Sequence, residues 1–204
     1  MINIELDNIG KRFGTNWLFR EINLQINQGD KIALVGHNGS GKSTLLQVIS
    51  GFIRPTVGSV IYKENGSLIS QDNLYTYISY SAPYMELIEE LTLIEFIDFY
   101  IKHQSLMDGI TINRLIEISF LTESRDKAIR TFSSGMKQRL KLASALLSST
   151  EIVLLDEPLS NLDANGVLFY KNLIAEYATN KTIVVCSNNI PDEIYYCNKN
   201  IKLG

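Results

Sequence analysis

The sequence predicts an α/β protein with a mostly parallel sheet, an antiparallel β-subdomain at its N-terminus and a helical insert. Three continuous apolar runs, KIALV (31–35), EIVLLD (151–156) and KTIVVCS (181–187), are typical of strands buried on both faces of a parallel sheet. Near the N-terminus, INIEL and EINLQI alternate apolar with polar residues, which indicates half-buried antiparallel strands.

The helical insert is predicted between the first and second of the apolar runs, at about residues 84–130. The stretches ELIEELTLIEFIDFYIKH and TINRLIEISFL carry apolar residues at helical spacing and show no strong strand signal. We therefore expect helices packed against the α/β core over this segment.

Composition excludes several classes of protein. The chain has 204 residues, of which 45% are hydrophobic, and this length suits one globular domain. A net charge of −3 and the lack of any long basic run argue against a nucleic-acid partner. No stretch approaches the ~20 apolar residues of a membrane helix. Cys186 and Cys197 form no CxxC pair, so we expect two reduced thiols and a cytosolic setting.

The strongest chemical signal is GHNGSGKS, residues 36–43, which fits G-x-x-x-x-G-K-[ST] directly after a predicted strand and before a helical pattern. Glycines let the backbone N–H groups point at phosphate oxygens, Lys42 neutralises charge, and the Ser43 hydroxyl ligates Mg²⁺. A glycine-rich surface turn is the other interpretation, but the strand, loop and helix order favours a P-loop NTPase core. The residues expected to bind nucleotide here are Gly36, Asn38, Gly39, Ser40, Gly41, Lys42, Ser43 and Thr44.

A carboxylate pair follows the second apolar run, in IVLLDEP. Ligands of open α/β sheets bind at the carboxyl ends of the strands, where Asp156 and Glu157 emerge. We expect Asp156 to hold Mg²⁺ through water and Glu157 to orient and deprotonate the water that attacks the γ-phosphate.

A third motif, FSSGMKQR, resembles the signature of the ATP-binding cassette (ABC) family. Ser133 and Gly135 match the signature's serine and second glycine, whereas Phe132, Ser134 and Met136 replace its leucine, first glycine and glutamine. The resemblance covers essentially the whole chain and implies one cassette domain, residues 1–204, with a helical subdomain at about 84–148. It also implies ATP and Mg²⁺ as cofactors, and an ATP-dependent dimer in which Ser133, Gly135 and their helix close over the nucleotide of the other copy.

Two smaller features agree with the family. The stretch SNLD, ending at Asp163, resembles the D-loop, which runs along the dimer interface. Phe13 in KRFG stands where the family has an aromatic residue that stacks on adenine, and stacking requires only a flat π-face.

Two positions depart from the family pattern. Counting back from LT at 91–92 places Pro83 where the family has a glutamine that contacts the metal and the water, unless a gap in the alignment makes Gln71 its equivalent. Asn188 stands where the family has a histidine that contacts the γ-phosphate and the catalytic glutamate. Asparagine can donate a hydrogen bond but cannot become cationic, so we expect slow hydrolysis at an intact ATP site.

Other nucleotide-binding classes fit less well. NKNI (198–201) lacks the aspartate of a guanine-specific Asn-Lys-x-Asp motif, and a small-molecule kinase would not need FSSGM and SNLD. The resemblance implies an ATPase that dimerises, as a homodimer or with a second cassette, and powers a membrane-spanning transporter subunit from the cytoplasmic face of the membrane. An ATP-gated binding or regulatory module with little hydrolysis is the alternative.

Overall fold

The computed structural model describes residues 1–203. Its strands are β1 (Ile2–Phe13), β2 (Asn16–Ile26), β3 (Lys31–Val35), β4 (Val57–Glu64), β5 (Ser67–Leu68), β6 (Ile78–Ser81), β7 (Ile152–Asp156), β8 (Thr182–Ser187) and β9 (Lys199–Lys202). Its α-helices are α1 (Lys42–Ile49), α2 (Leu93–Ile101), α3 (Ile112–Ile118), α4 (Ser134–Leu146), α5 (Ala164–Tyr177) and α6 (Pro191–Ile194).

The N-terminal sheet is antiparallel, with the strand order β2-β1-β4-β5. Ile4 on β1 pairs with Ile26 on β2 and with Tyr62 on β4. Asn65 and Gly66 connect β4 to β5 with φ angles of 50° and 85°, which is the backbone that a tight hairpin turn requires. The predicted N-terminal antiparallel subdomain is confirmed.

The second sheet is entirely parallel, with the strand order β6-β7-β8-β3-β9. The three apolar runs form its central strands β7, β8 and β3. Alternate residues of these strands face opposite sides of the sheet, and both sides are buried. The predicted α/β core is therefore confirmed.

Two hydrophobic clusters cover the two faces of the parallel sheet. One cluster holds Leu155 and Val185 together with buried residues of helices α2 to α5. The other holds Leu154 and Val184 together with α1 and the apolar face of the antiparallel sheet. Helix α1 thus shares one core with both sheets, and this packing fixes the segment that precedes it.

The helical insert lies between β6 and β7, but its first helix is shorter than the sequence pattern predicts. The helical spacing begins at about residue 86, whereas α2 begins at Leu93, and residues 84–92 form turns and extended chain. Thr92 ends that segment because its hydroxyl accepts from the Glu95 N–H while the Glu95 carboxylate accepts from the Thr92 N–H. This reciprocal capping box sets the start of the helix.

Replacing Thr92 with alanine tests the role of this cap. We expect Thr92→Ala to lower the free energy of unfolding by about 1 kcal/mol, because an orphan N–H of α2 loses its acceptor. Urea denaturation followed by circular dichroism would measure the change. Thr122→Ala, at an exposed threonine, is the matched control, and an equal loss in both variants would contradict the capping role.

Candidate active site

The site lies where three parallel strands end at one edge of the sheet. Val35 at the end of β3 pairs with Ser187 at the end of β8, and Asp156 at the end of β7 pairs with Cys186. The segments that follow these strands therefore emerge side by side, at the edge where α/β proteins bind ligands.

The loop after β3 has a backbone that only glycine adopts readily. Gly39 and Gly41 have φ angles of 83° and 95°, in the left-handed region. A β-carbon at Gly36 would lie 2.4 Å from the carbonyl oxygen of Leu203. The loop curls into the N-terminus of α1, and its cleft of about 320 Å³ is lined by residues that include Asn38, Gly39, Gly41, Lys42, Ser43, Thr44 and Glu157.

Lys42 is buried at the centre of this loop. Its ammonium donates to the carbonyl oxygens of Gly36 and His37 at 2.9 and 3.0 Å and to Asn188 Oδ1 at 2.8 Å. The side chain is only 5% exposed. The cation is therefore held within the loop by neutral oxygen atoms.

Glu157 and Asn188 form a direct pair beside Lys42. Asn188 Nδ2 donates to Glu157 Oε1 at 2.9 Å, while Asn188 Oδ1 accepts from Lys42. Glu157 has a φ of 40°, an uncommon angle for a side chain of this size. Its N–H donates to the Cys186 carbonyl oxygen. This strained residue is thus fixed to the end of the neighbouring strand β8.

Asp156 is the most enclosed acidic group of the site, with 1% of its surface exposed. Its Oδ2 accepts from the Tyr84 hydroxyl at 3.1 Å, and its Oδ1 accepts no hydrogen bond from residues 1–203. Burial raises the pKa of the Asp156 carboxyl, and the nearby hydroxyls of Ser43 and Tyr84 partly oppose that rise. The site therefore contains a desolvated carboxylate with one free oxygen.

A second cleft, of about 710 Å³, holds the signature residues. Ser133 caps α4 by accepting from the Met136 N–H, and Asp163 caps α5 by accepting from the Gly166 N–H. A β-carbon at Gly135 would lie 3.2 Å from the carbonyl oxygen of Asn161, so the two turns are in close contact. No residue from 36 to 44 lines this cleft.

Phe13 lies outside both clefts. It ends β1 with 60% of its surface exposed, and the Lys11 ammonium lies 5.2 Å from its ring centroid. Its exposed ring could stack on a flat ligand.

The sequence pattern missed Tyr84. Pro83, predicted to stand at the position of the family's glutamine, offers only its carbonyl oxygen, which accepts from Lys141 at 2.7 Å. The next residue, Tyr84, supplies the hydroxyl that reaches Asp156. Gln71 donates to the Gly51 carbonyl oxygen, and no contact links it to Asp156. A polar side chain directly after Pro83 was the available signal.

Comparison with known proteins identifies the family. The family model described as ABC transporter matches residues 19–160, more than half of the chain. The chain belongs to the ABC transporter family. The lantibiotic transport ATP-binding protein SrtF of Streptococcus pyogenes is 30% identical over 196 residues, which cover 94% of this cassette and 82% of SrtF. The methionine import ATP-binding protein MetN 1 of Enterococcus faecalis is 35% identical, with 96% of this cassette and 59% of MetN 1 covered.

Solved structures agree with this assignment. An ATP-binding subunit of an ABC transporter has a TM-score of 0.83 at 25% identity and covers 98% of this cassette and 85% of that chain. A bacterial ABC transporter cassette, MJ0796, solved as a dimer, has a TM-score of 0.80 at 25% identity, with 98% and 94% covered. The fold prediction and the family resemblance are thereby confirmed.

The protein is therefore an ATP-binding and ATP-hydrolysing subunit for ATP-driven transport. The interpretations as a GTPase or a small-molecule kinase are excluded by this membership. Among the helices of residues 1–203, none has the length and apolar character needed to cross a membrane.

The buried charge of Asp156 predicts a pH-dependent cost in stability. Because burial raises the pKa of this carboxyl, the folded chain holds the proton more tightly than the unfolded chain. The free energy of unfolding therefore falls as the pH rises through these two pKa values. We expect Asp156→Asn to be more stable than the wild type at pH 7 without nucleotide.

Denaturation at several pH values would test this expectation. The gain should shrink as the pH falls towards the ordinary pKa of an aspartate, and Asp126→Asn, at an exposed aspartate, should show no such pattern. A loss of stability in Asp156→Asn at pH 7 would contradict the cost assigned to the buried charge.

Proposed function

We propose that two cassettes bind two ATP molecules between them, hydrolyse them, and drive a membrane-spanning partner subunit. The observation that carries this proposal is the separation of the functional residues into two clefts. The phosphate loop and Glu157 line one cleft, while Ser133, Gly135 and Asp163 line the other. Each copy thus presents half of two composite sites, which a second copy of this chain or a different cassette would complete.

Nucleotide binding rests on the loop before α1 in this proposal. Its backbone N–H groups and the helix N-terminus bind the phosphates, with Lys42 supplying positive charge. Lys42 then exchanges carbonyl oxygens for phosphate oxygens. Thr44 and Asn38 contact the phosphates from the rim of the cleft, and the exposed ring of Phe13 stacks on adenine.

Ser43 and Asp156 are the residues that would hold Mg²⁺. Residues 1–203 contain no group of three or more His, Cys, Asp or Glu side chains suited to a metal ion, but Mg²⁺ bound with a nucleotide needs only one or two protein ligands besides phosphates and water. The free, buried Oδ1 of Asp156 fits that role. When bound, the ion neutralises charge on the phosphate oxygens.

Glu157 is the proposed general base. Asn188 donates to one of its oxygens and fixes the carboxylate beside the phosphate loop. Because the other side of the Asn188 amide accepts from Lys42, the three side chains form one chain of hydrogen bonds. A neutral amide lends no positive charge to the γ-phosphate, so hydrolysis is slow.

An apolar groove between the helical insert and the parallel sheet is the proposed docking surface for the membrane-spanning partner. The groove has a volume of about 360 Å³ and is lined by aromatic residues that include Phe52, Tyr75 and Phe99. These three side chains are 65%, 60% and 45% exposed. Large exposed aromatic surfaces mark interaction sites, and this one would place the cassette on the cytoplasmic face of the membrane.

An ATP-gated module with little hydrolysis is the second candidate. The replacement of glutamine and histidine by Pro83 and Asn188 favours it. The two candidates differ in turnover, because a motor requires hydrolysis in every cycle whereas a module requires it only for resetting.

The role of Glu157 can be tested by phosphate release. We expect Glu157→Gln to lose about 10²- to 10⁴-fold in rate, the usual cost of removing a general base, while it still binds Mg-ATP. Purified chain at dimer-forming concentration should be assayed beside Glu123→Gln, an exposed glutamate of the insert. Equal rates in wild type and Glu157→Gln would show that Glu157 is not the base. No turnover in either protein, with ATP bound, would favour the gated module.

Asn188 can be tested in both directions. We expect Asn188→Ala to slow phosphate release by about 10²- to 10³-fold, as when one group that stabilises the transition state is removed. Asn188→His restores a side chain that can carry charge and should raise the rate above that of the wild type. Asn180→Ala, at an exposed asparagine away from the site, is the control. A rate in Asn188→Ala equal to that of the wild type would contradict a contribution of this amide.

A further inference from the structure

The Tyr84 hydroxyl lies beside the carboxylate of Asp156 and makes three hydrogen bonds. It lies 3.1 Å from Asp156 Oδ2, 2.5 Å from the Tyr80 hydroxyl and 3.2 Å from Gln47 Nε2. Gln47 belongs to α1 and Asp156 ends β7. One phenol oxygen therefore joins the helix after the phosphate loop to the strand that carries the acidic pair.

The proton positions at this oxygen follow from counting donors and acceptors. A carboxylate only accepts, so the single Tyr84 proton is directed at Asp156. The Tyr84 oxygen then accepts from Tyr80 and from the amide of Gln47, which fills both of its lone pairs. A phenol with the ordinary tyrosine pKa of about 10 keeps its proton near neutral pH.

This fully satisfied hydroxyl fixes the rotation of the Asp156 carboxylate. With Oδ2 bound to Tyr84, Oδ1 is the oxygen that remains buried without a hydrogen bond from residues 1–203. Ser43, the other proposed metal residue, lies in the first turn of α1, and α1 packs against β7, which ends at Asp156. The free oxygen and the serine hydroxyl thus belong to one small region.

The segment that carries Tyr84 is itself held in place. Lys141 on α4 donates to the carbonyl oxygens of Pro83 and Ala82 at 2.7 and 3.3 Å. The tyrosine ring is 52% exposed, so its hydroxyl contact does not result from burial of the whole side chain. A structural role in the core does not account for this contact.

We infer that Tyr84 is a positioning residue for the metal: it orients Asp156 through its hydroxyl. This inference rests on the proposed function, because it requires that Asp156 hold Mg²⁺ with bound ATP. Loss of a hydrogen bond to a carboxylate that holds a metal typically costs about 10- to 100-fold in metal affinity or activity.

The test measures metal dependence separately from nucleotide binding. Binding of a fluorescent ATP analogue, mant-ATP, is titrated with Mg²⁺ in a Glu157→Gln background and repeated in EDTA. We expect Tyr84→Phe to raise the half-saturating Mg²⁺ concentration by about 10- to 100-fold, with binding in EDTA unchanged. Tyr195→Phe is the control, since it also removes a hydrogen-bonded hydroxyl from an exposed tyrosine.

Two results would overturn the inference. One is an unchanged Mg²⁺ dependence in Tyr84→Phe, and the other is an equal weakening of binding with Mg²⁺ and in EDTA, which would indicate a structural defect. Asp156→Asn separates this failure from that of the proposed function. If Asp156→Asn shifts the Mg²⁺ dependence and Tyr84→Phe does not, only the positioning role of Tyr84 fails. If neither shifts it, the metal role of Asp156 fails.

Discussion

The hydrogen-bond register of three neighbouring parallel strands is the constraint on which the site depends. Because Asp156 pairs with Cys186 and Val35 pairs with Ser187, the ends of β7, β8 and β3 coincide. A slip of one residue would turn every side chain of a strand to the opposite face. Asp156 would then leave the edge, and the contacts of Asn188 with Glu157 and Lys42 would be lost.

The sequence predicts the buried strands of the fold but not its exposed edge strand, its short hairpin or the start of α2. The strands β3, β7 and β8 are buried on both faces, so their apolar runs are unmistakable. The edge strand β9, KNIK, is mostly exposed and shows no such run. The β4–β5 hairpin has an Asn-Gly turn signal, but β5 has only two residues and shows no strand pattern. The helical spacing predicts α2 too long, because spacing carries no information about the Thr92 cap.

The residues of the site also divide into those that local sequence patterns predict and those that they do not. The phosphate loop is a contiguous motif, so its geometry follows from local rules. The position of Asn188 is predictable because a clear apolar strand directly precedes it. Tyr84 and Asp156 are 72 residues apart, and no local pattern joins them. Their contact depends on the pairing of β6 with β7 and on the turn at Pro83, which only the tertiary structure reveals.

The bonding of Lys42 has a consequence for nucleotide affinity. A free lysine side chain loses about 1.5–2 kcal/mol of rotamer entropy when it is immobilised. Here the two loop carbonyls and Asn188 already hold the ammonium, so that entropy is lost when the chain folds. The incoming triphosphate exchanges loop carbonyl oxygens for phosphate oxygens around a cation that is already in position, so the association step loses less side-chain entropy.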